Sequence, residues 1–238
     1  MDSEDVIWTP RTVLSCLFKI YDPIGLCAPF SVRGKVILQR ITTLNLAWDT
    51  PIPANYLALW ENWLSDLDQM ENVRIERHIG MAPGASSEIH CFVDASIEAY
   101  AAVFYLRTVQ VDGTVTVRFL FSKVKVTPMK AVSVARLELM AAQLGAETSK
   151  PIQKYLDLWK PVHFFTDSMD VLFWISQPSK LYKPFVANRC GTIQSLTDIS
   201  MWAHVPTTLN SADLATRGCS AADFAKSSQW LHGPKFLQ

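Results

Sequence analysis

Four acidic residues, in four separate stretches of the chain, could together bind divalent metal ions. Asp94 and Asp167 each end an apolar run that is typical of a buried strand. Glu138 lies in a helical pattern, and Asp213 stands where a late helix begins. A carboxylate at the end of a fully buried strand needs a balancing cation, and hard divalent cations prefer carboxylate oxygens. The four acids therefore predict a site for two Mg²⁺ ions, with Mn²⁺ as the alternative, and sites of this kind hydrolyse phosphodiesters.

Each acid also has an ordinary structural explanation. An Asp close to a Ser at the end of a strand often only forms a turn, and both Asp94 and Asp167 have a Ser within two residues. Free backbone amides in the first turn of a helix would stabilise Asp213 without any metal. Because the four acids occur in the order strand, helix, strand, helix, we favour the metal site. Asp170 and Glu147 are interpreted as solvated.

The elements that would position these acids follow from the hydrophobic pattern after residue 87. Apolar runs predict five strands, at residues 88–93, 100–109, 114–126, 161–166 and 201–205. Asp112-Gly113 is typical of a hairpin turn between the second and third strands. Helical patterns begin at Ser133, cover 170–176 and 184–196, and resume at residue 212. This order indicates an α/β fold with a mixed five-stranded sheet and flanking helices.

The first 80 residues have a different pattern, which predicts a small, mainly helical module. Apolar residues recur there at spacings of three and four, and Trp60 and Trp63 lie on one such stripe. Glycine, proline and serine interrupt the pattern at residues 81–87, which we interpret as a linker to a second domain at 88–238. We expect the Trp60 stripe to be exposed, because an apolar stripe without a partner is an association surface.

The composition is that of a folded protein without a membrane span. Of the 238 residues, 49% are hydrophobic and 18% are charged, and the formal net charge is zero. No apolar run reaches the roughly 18 residues of a membrane helix. The acidic amino terminus is unlike a secretion signal, and the five scattered cysteines include no closely spaced pair. We expect a protein of the cytosol or the nucleus, neither secreted nor bound to a membrane, with reduced cysteines.

Basic side chains near the predicted acids could bind a nucleic acid backbone. Residues 113–137 and 171–197 contain basic residues and no acidic ones. Lysine and arginine supply most of the phosphate contacts in protein–nucleic acid complexes. Exposure on an edge strand explains Lys123 and Lys125 equally well. The candidate substrate-binding residues are Ser96, Lys130, Arg136, Ser168, Lys183 and Arg189.

Several longer motifs together resemble one family. They are LSCLFKIYDPIGL at 14–26, WENW at 60–63, HCFVDAS at 90–96, RLEL at 136–139, TDS at 166–168, FVANR at 185–189 and WLHGP at 230–234. In this order they resemble the stretch that joins the polymerase to ribonuclease H in Bel/Pao-type LTR retrotransposon polyproteins. The resemblance implies a ribonuclease H-like fold and Mg²⁺-dependent cleavage of RNA in RNA–DNA hybrids. It also implies that residues 1–80 correspond to the polymerase thumb or connection, with the missing polymerase part as a partner.

The chain departs from the family pattern in a few places. Ala135 and Ser211 replace prolines that the family often has before its Glu and its last Asp. Related retroviral enzymes carry a mobile histidine where this chain has residues 207–209, and His204 is interpreted as structural. The alternative function is that of a catalytically inactive retroelement remnant or interaction scaffold. A strand-transfer enzyme of the same superfamily is disfavoured, because its glutamate would be the last acid in chain order and not the second.

Overall fold

The computed structural model describes residues 6–73, 75–76, 78–157 and 162–238. Within these ranges the strands are β1 (Ser86–Ala95), β2 (Ala99–Val109), β3 (Val115–Val126), β4 (Val162–Thr166) and β5 (Trp202–His204). The α-helices are α1 (Pro10–Leu17), α2 (Ala28–Thr42), α3 (Ala54–Leu67), α4 (Val134–Leu156), α5 (Met169–Ser176), α6 (Pro184–Leu196), α7 (Asp213–Arg217), α8 (Ala221–Lys226) and α9 (Ser228–His232). Short 3₁₀ helices lie at Asp68–Asn72, Ser179–Leu181, Ile199–Met201, Thr207–Leu209 and Lys235–Leu237.

The five strands form one mixed sheet in the order β3-β2-β1-β4-β5. β1, β2 and β3 are antiparallel, and the β2–β3 hairpin turns at Gly113, where a φ of 85° favours glycine. β4 pairs in parallel with β1, and β5 pairs in parallel with β4. The carboxyl ends of β1, β4 and β5 therefore meet at one edge of the sheet. The predicted mixed sheet with flanking helices is confirmed.

Helix α4 packs closely on one face of the sheet, against β1 and β2. At Gly145 a Cβ atom would lie 2.7 Å from Val93 Cγ1 and 3.1 Å from Cys91 Sγ, so only glycine allows this separation. A continuous apolar core between this face and α4, α5 and α6 holds the helices in place. This packing sets the position of α4 along β1, and its second turn lies beside Ala95.

The other face of the sheet is covered by α2 and by the short helices α7, α8 and α9. Ala28 of α2 belongs to the same buried cluster as Val103 and Tyr105 of β2. The Trp230 indole in α9 donates a hydrogen bond to the Leu26 carbonyl (2.8 Å). Helix α2 and the sheet therefore share a hydrophobic core.

The single closing helix that we expected from residue 212 is divided into three. Gly218, with a φ of 76°, ends α7, and the side chains of Ser220 and Ser227 then cap α8 and α9. A left-handed glycine stops a helix, and a serine after it begins the next one. The prediction of one helix was wrong because the apolar spacing continues across these breaks.

The expectation of an exposed Trp60 stripe was also wrong. Trp60 and Trp63 are 0% and 1% exposed, and their rings stack with centroids 4.8 Å apart. Phe30 of α2 and Ile52 belong to the same buried cluster, and Trp63 Nε1 donates to the Phe30 carbonyl (3.2 Å). Helices α1 and α2 cover the stripe, which periodicity within α3 cannot reveal.

The predicted linker at 81–87 overlaps β1, which begins at Ser86. The division of the chain into two domains stays a prediction. Residues 158–161, which include the predicted start of the fourth strand, lie outside the described residues. Within the described ranges, no helix combines the length and the apolar character needed to cross a membrane.

Candidate active site

Asp94 and Asp167 reach the same edge of the sheet through the parallel pairing of β1 and β4. Phe92 lies opposite Phe165 in that pairing, and each Asp follows two residues later. Because side chains alternate between the two faces of a sheet, residues two positions beyond a matched pair lie on the same face. Asp94 is 4% exposed, and Asp167, directly after β4, is half-buried. The strand register therefore brings the two carboxylates together.

Glu138 joins them from the second turn of α4. It is buried, and its carboxylate lies close enough to the backbone of Ala95 for that backbone to lower the pKa of Glu138. One ligand oxygen from each of Asp94, Glu138 and Asp167 lies within 4.8 Å of the others. These three residues form the acid cluster.

Neutral donors orient two of the three carboxylates. The Thr216 hydroxyl donates a hydrogen bond to Asp94 Oδ2. Asp167 accepts one from the Thr207 hydroxyl (2.6 Å) and one from the Asn210 amide (3.3 Å). Since these donors carry no charge, they hold the carboxylates in place without neutralising them.

The acid cluster carries negative charge in a buried position. Burial, together with the charges of Asp94 and Asp167, raises the pKa of Glu138 to about 9. Burial also raises the pKa of Asp94 to about 6, although the Thr216 hydrogen bond opposes the shift. Glu138 Oε2 is buried and has no hydrogen-bond partner. A cation placed among the three carboxylates would favour their charged forms and lower both pKa values.

Asp213 lies beside the acid cluster and has its own cation. It is the first residue of α7, its side chain is 29% exposed, and Oδ1 accepts a hydrogen bond from Arg217 Nε (2.6 Å). Its charge contributes to the raised pKa values of Asp94 and Glu138, so it is within electrostatic reach. The structure therefore brings three of the predicted acids together and places the fourth next to them.

The donor set suits a hard divalent cation. All the ligand atoms of the acid cluster are carboxylate oxygens, which Mg²⁺ and Mn²⁺ prefer, whereas zinc is usually bound by histidine or cysteine. Glu138 Oε2 has no hydrogen-bond partner and is available as a ligand atom. The residues present therefore fit Mg²⁺.

Two of the predicted substrate-binding residues lie together on one aromatic ring. The guanidinium carbons of Arg136 and Arg189 are 5.1 Å and 3.6 Å from the centroid of Phe185. Arg189 Nη1 also donates to the Phe185 carbonyl (3.0 Å), which fixes the plane of the guanidinium group. Lys130 and Lys183 are exposed. The binding roles of these residues stay predictions.

The two predicted serines make hydrogen bonds within the fold. Ser96 Oγ donates to the Thr216 carbonyl (2.9 Å), which joins the β1–β2 turn to α7. Ser168 is the N-cap of α5 and accepts a hydrogen bond from the Val171 amide. Contact with a substrate would use the remaining lone pairs of these hydroxyls.

The predictions from the sequence did not include the polar residues that surround the acids. Asn210 is 2% exposed and donates both to Asp167 and to the Val93 carbonyl (3.0 Å), so it joins β1, β4 and the segment before α7. Thr216 and Arg217 were also missed. Short polar residues before and within a short helix are usually caps or solvated positions, so no sequence signal distinguishes these three.

Solved structures that match this chain include ribonucleases H and foamy viral protease-reverse transcriptases. The amino-terminal ribonuclease H domain of rv2228c from Mycobacterium tuberculosis is 16% identical, with 60% of this chain and 99% of that chain covered and a TM-score of 0.37. LC11-RNase H1, solved with an RNA/DNA hybrid, is 15% identical, with 52% and 88% covered and a TM-score of 0.33. The foamy viral protease-reverse transcriptase, also solved with an RNA/DNA hybrid, is 12% identical, with 84% and 25% covered and a TM-score of 0.46.

No curated protein matches this chain in sequence. The family model of the Pao retrotransposon-like RNaseH-like domain matches residues 9–168, which is more than half of the chain. The matched range begins at the N-cap of α1 and includes the whole acid cluster. The predicted ribonuclease H-like fold and the resemblance to Bel/Pao-type retrotransposons are thereby confirmed, and the chain belongs to the Pao retrotransposon-like RNaseH-like domain family.

Proposed function

We propose that this chain is a metal-dependent ribonuclease that cleaves the RNA strand of RNA–DNA hybrids and derives from a retrotransposon pol polyprotein. The acid cluster is the observation that carries the proposal, because it holds three carboxylates within 4.8 Å of one another. Carboxylates at such distances repel one another, so they lower the stability of the metal-free fold. Groups whose pKa values are strongly shifted by burial and by neighbouring charges are typical of functional sites.

In this proposal Asp94, Glu138 and Asp167 hold two Mg²⁺ ions, with Mn²⁺ as the alternative, and Asp213 supports them from α7. Such a metal pair, when bound, supplies an activated water molecule and stabilises the leaving oxygen of a phosphodiester. The Thr216 hydroxyl keeps the Asp94 carboxylate oriented. Because this hydroxyl is neutral, the full negative charge of Asp94 remains available to a cation.

An RNA–DNA hybrid is the proposed ligand of the basic side chains on α4 and α6. Arg136 precedes Glu138 by two residues on α4 and shares the ring of Phe185 with Arg189. Guanidinium groups held against an aromatic ring lose little freedom when they bind phosphate oxygens. RNA would be recognised by its 2′-hydroxyls, which a wide and shallow minor groove exposes. The remaining proposed contacts are Ser96, Lys130, Ser168 and Lys183.

The proposal includes the polyprotein context. Residues 1–80 would correspond to the polymerase thumb or connection, 81–87 to a linker and 88–238 to the nuclease. The polymerase part upstream would be a partner in addition to the hybrid. The cytosol or the nucleus is the proposed compartment.

The test is cleavage of a labelled RNA–DNA hybrid by the full chain with Mg²⁺, with Mn²⁺ and with a chelator. Double-stranded DNA and double-stranded RNA of the same sequence are the control substrates. We expect cleavage of the hybrid and of neither control substrate, and only when metal is present. If the parent chain cleaves nothing with either metal, the inactive remnant or scaffold becomes the better explanation.

A further inference from the structure

The loop after α7 is held against α2, a helix in the first part of the chain. The Cys219 amide donates to the Pro29 carbonyl (3.0 Å), and Arg33 Nη1 donates to the Cys219 carbonyl (3.1 Å). At Gly218 a Cβ atom would lie 2.7 Å from Arg33 Cγ and 3.2 Å from the Pro29 oxygen. The carboxyl end of α7 therefore touches α2 with no room for a side chain.

A partly buried ion pair fastens this loop to a third element. Arg33 Nη1 lies 2.6 Å from Asp66 Oδ2 on α3, and the two side chains are 35% and 15% exposed. Asp66 Oδ1 accepts a hydrogen bond from the Ala221 amide at the start of α8 (3.1 Å). Arg33 and Asp66 thus form a clamp that joins α2, α3 and the segment between α7 and α8.

Helix α7 depends on anchors at both ends, because it has only five residues. A helix of this length has too few internal hydrogen bonds to be stable alone. At its amino end, the buried Asn210 side chain donates to the Val93 carbonyl of β1. At its carboxyl end, the clamp holds the loop that follows. Asp213 and Thr216 lie between these two anchors.

We propose that the clamp positions α7 for the chemistry of the acid cluster, which makes Arg33 and Asp66 positioning residues of the active site. Thr216 donates to Asp94 and accepts from Ser96 Oγ, so a displaced α7 removes the group that orients Asp94. The helices before residue 80 then support the active site of the nuclease at 88–238. This inference rests on the proposed function for its kinetic test but not for its structural test.

The ion pair between Arg11 and Asp49 provides a matched control. It has a similar distance of 2.7 Å and also lies before residue 80, but its side chains are 61% and 75% exposed. An exposed pair contributes little to stability, whereas a partly buried pair costs desolvation and imposes a defined geometry. Arg33→Met and Arg11→Met therefore remove the same kind of group from two different settings.

The structural test is amide hydrogen exchange of the full chain. In Arg33→Met we expect exchange over residues 213–217 to become at least about tenfold faster, because local opening no longer has to break the clamp. Exchange in β1 and β2 should stay as in the parent, and Arg11→Met should change neither region. Unchanged exchange over 213–217 in Arg33→Met would overturn the inference.

The kinetic test compares Arg33→Met with Thr216→Val and with the double variant. We expect Arg33→Met to lower kcat about 10- to 100-fold with KM within about threefold of the parent, because misplaced groups reduce the rate more than binding. If the clamp acts through Thr216, the double variant should be no slower than Thr216→Val. Losses that multiply in the double variant would contradict the positioning role.

Two further outcomes are informative. If Arg33→Met does not fold, Asp66→Asn takes its place, since asparagine keeps an acceptor for the Ala221 amide. If neither variant folds, the pair holds the whole chain together and the inference is wrong. A parent chain that cleaves no hybrid would refute the proposed function, while hydrogen exchange would still decide whether the clamp holds α7.

Discussion

Strands β1 and β4 carry charged residues at both ends, and the two ends balance that charge in different ways. At the amino end, the Glu88 carboxylate lies 2.9 Å from Arg107 Nη1 and 3.4 Å from Nε2 of both His90 and His163. At the carboxyl end is the acid cluster. Among the residues that the structure describes, no Lys, Arg or His forms an ion pair with it. One end is supplied with the Arg107 cation by the fold, whereas the acid cluster has no such partner among the described residues.

The pKa values differ accordingly. Burial raises the pKa of Glu88, but His90, Arg107 and His163 outweigh burial, so that this pKa lies below its usual value. Burial and neighbouring carboxylates raise the pKa of Glu138 to about 9. A glutamate is therefore stabilised as an anion at one end of β1 and destabilised as an anion at the other. The cation missing from the second end is what the proposed function adds.

The largest expected effect is a difference in hybrid cleavage between variants at the two ends of β1. Asp94→Asn and Glu88→Gln each replace one carboxylate with an amide of similar size. We expect Asp94→Asn to lower hybrid cleavage by at least about 1,000-fold, because a metal ligand loses its charge. Glu88→Gln should keep the rate within about threefold but lower stability by roughly 1 kcal/mol, because partners are left unpaired. Cleavage rates and urea unfolding of both variants are the measurements.

Asp170→Asn is the control for this comparison. Asp170 is exposed and lies three residues after Asp167, so it tests whether any nearby negative charge matters. Its rate should equal that of the parent. Equal losses of activity in Glu88→Gln and Asp94→Asn would show that the assay reports the integrity of the fold and not the acid cluster.

The second effect concerns metal binding to the folded chain. Mg²⁺ at about 100 times its Kd should stabilise the parent by about 2.7 kcal/mol, because it binds the folded state alone. Glu138→Gln should lose most of this gain, whereas Glu88→Gln should keep it. Thermal unfolding with and without Mg²⁺ measures the difference. If Mg²⁺ stabilises Glu138→Gln as much as the parent, the ions bind elsewhere.

The third effect is a pH dependence of opposite sign at the two ends. Without metal, the unfolded chain ionises Glu138 near its usual pKa of 4.5, whereas the folded chain keeps the proton up to about pH 9. The contribution of Glu138 to stability is therefore complete below pH 4.5 and is lost as pH rises through 9. The lowered pKa of Glu88 gives a contribution that is present above its usual pKa and is lost as pH falls.

Urea unfolding of the metal-free chain across this pH range measures both slopes. As pH rises, the free energy of unfolding of Glu138→Gln should fall by roughly a few kcal/mol less than that of the parent. Glu88→Gln should reduce the loss of stability as pH falls. His90 also contributes to this loss, because burial lowers its pKa to about 4. An alkaline slope that is the same in Glu138→Gln and the parent would mean that another group titrates there.

The smallest expected effect concerns Asp213, an acid near the cluster that pairs with a cation. Arg217, 67% exposed, pairs with Asp213 across one helical turn. Arg217→Met should change stability by less than about 0.5 kcal/mol, because exposed pairs at this spacing contribute little. Thermal melts provide the measurement. A larger loss would show that α7 is held by this pair more than by the clamp.

The sequence by itself determined the main part of the site. Asp94 and Asp167 could be recognised because strand ends follow from apolar runs, and Glu138 because helical spacing places it next to the sheet-facing stripe. The predicted helix at 184–196 coincides with α6, since Pro184 at its first position is a local start signal. These features are short-range, so they leave a pattern in neighbouring residues.

Only the tertiary structure decided what surrounds the three acids. Thr216 and Asp94 are 122 positions apart, and Arg33 and Cys219 are 186 apart, so neither contact leaves a periodic pattern. The burial of Trp60 was likewise set by other helices, α1 and α2. The pairing of donors with carboxylates depends on how separate elements pack and on how buried polar groups find hydrogen-bond partners. Both conditions apply to the whole fold and not to any single segment.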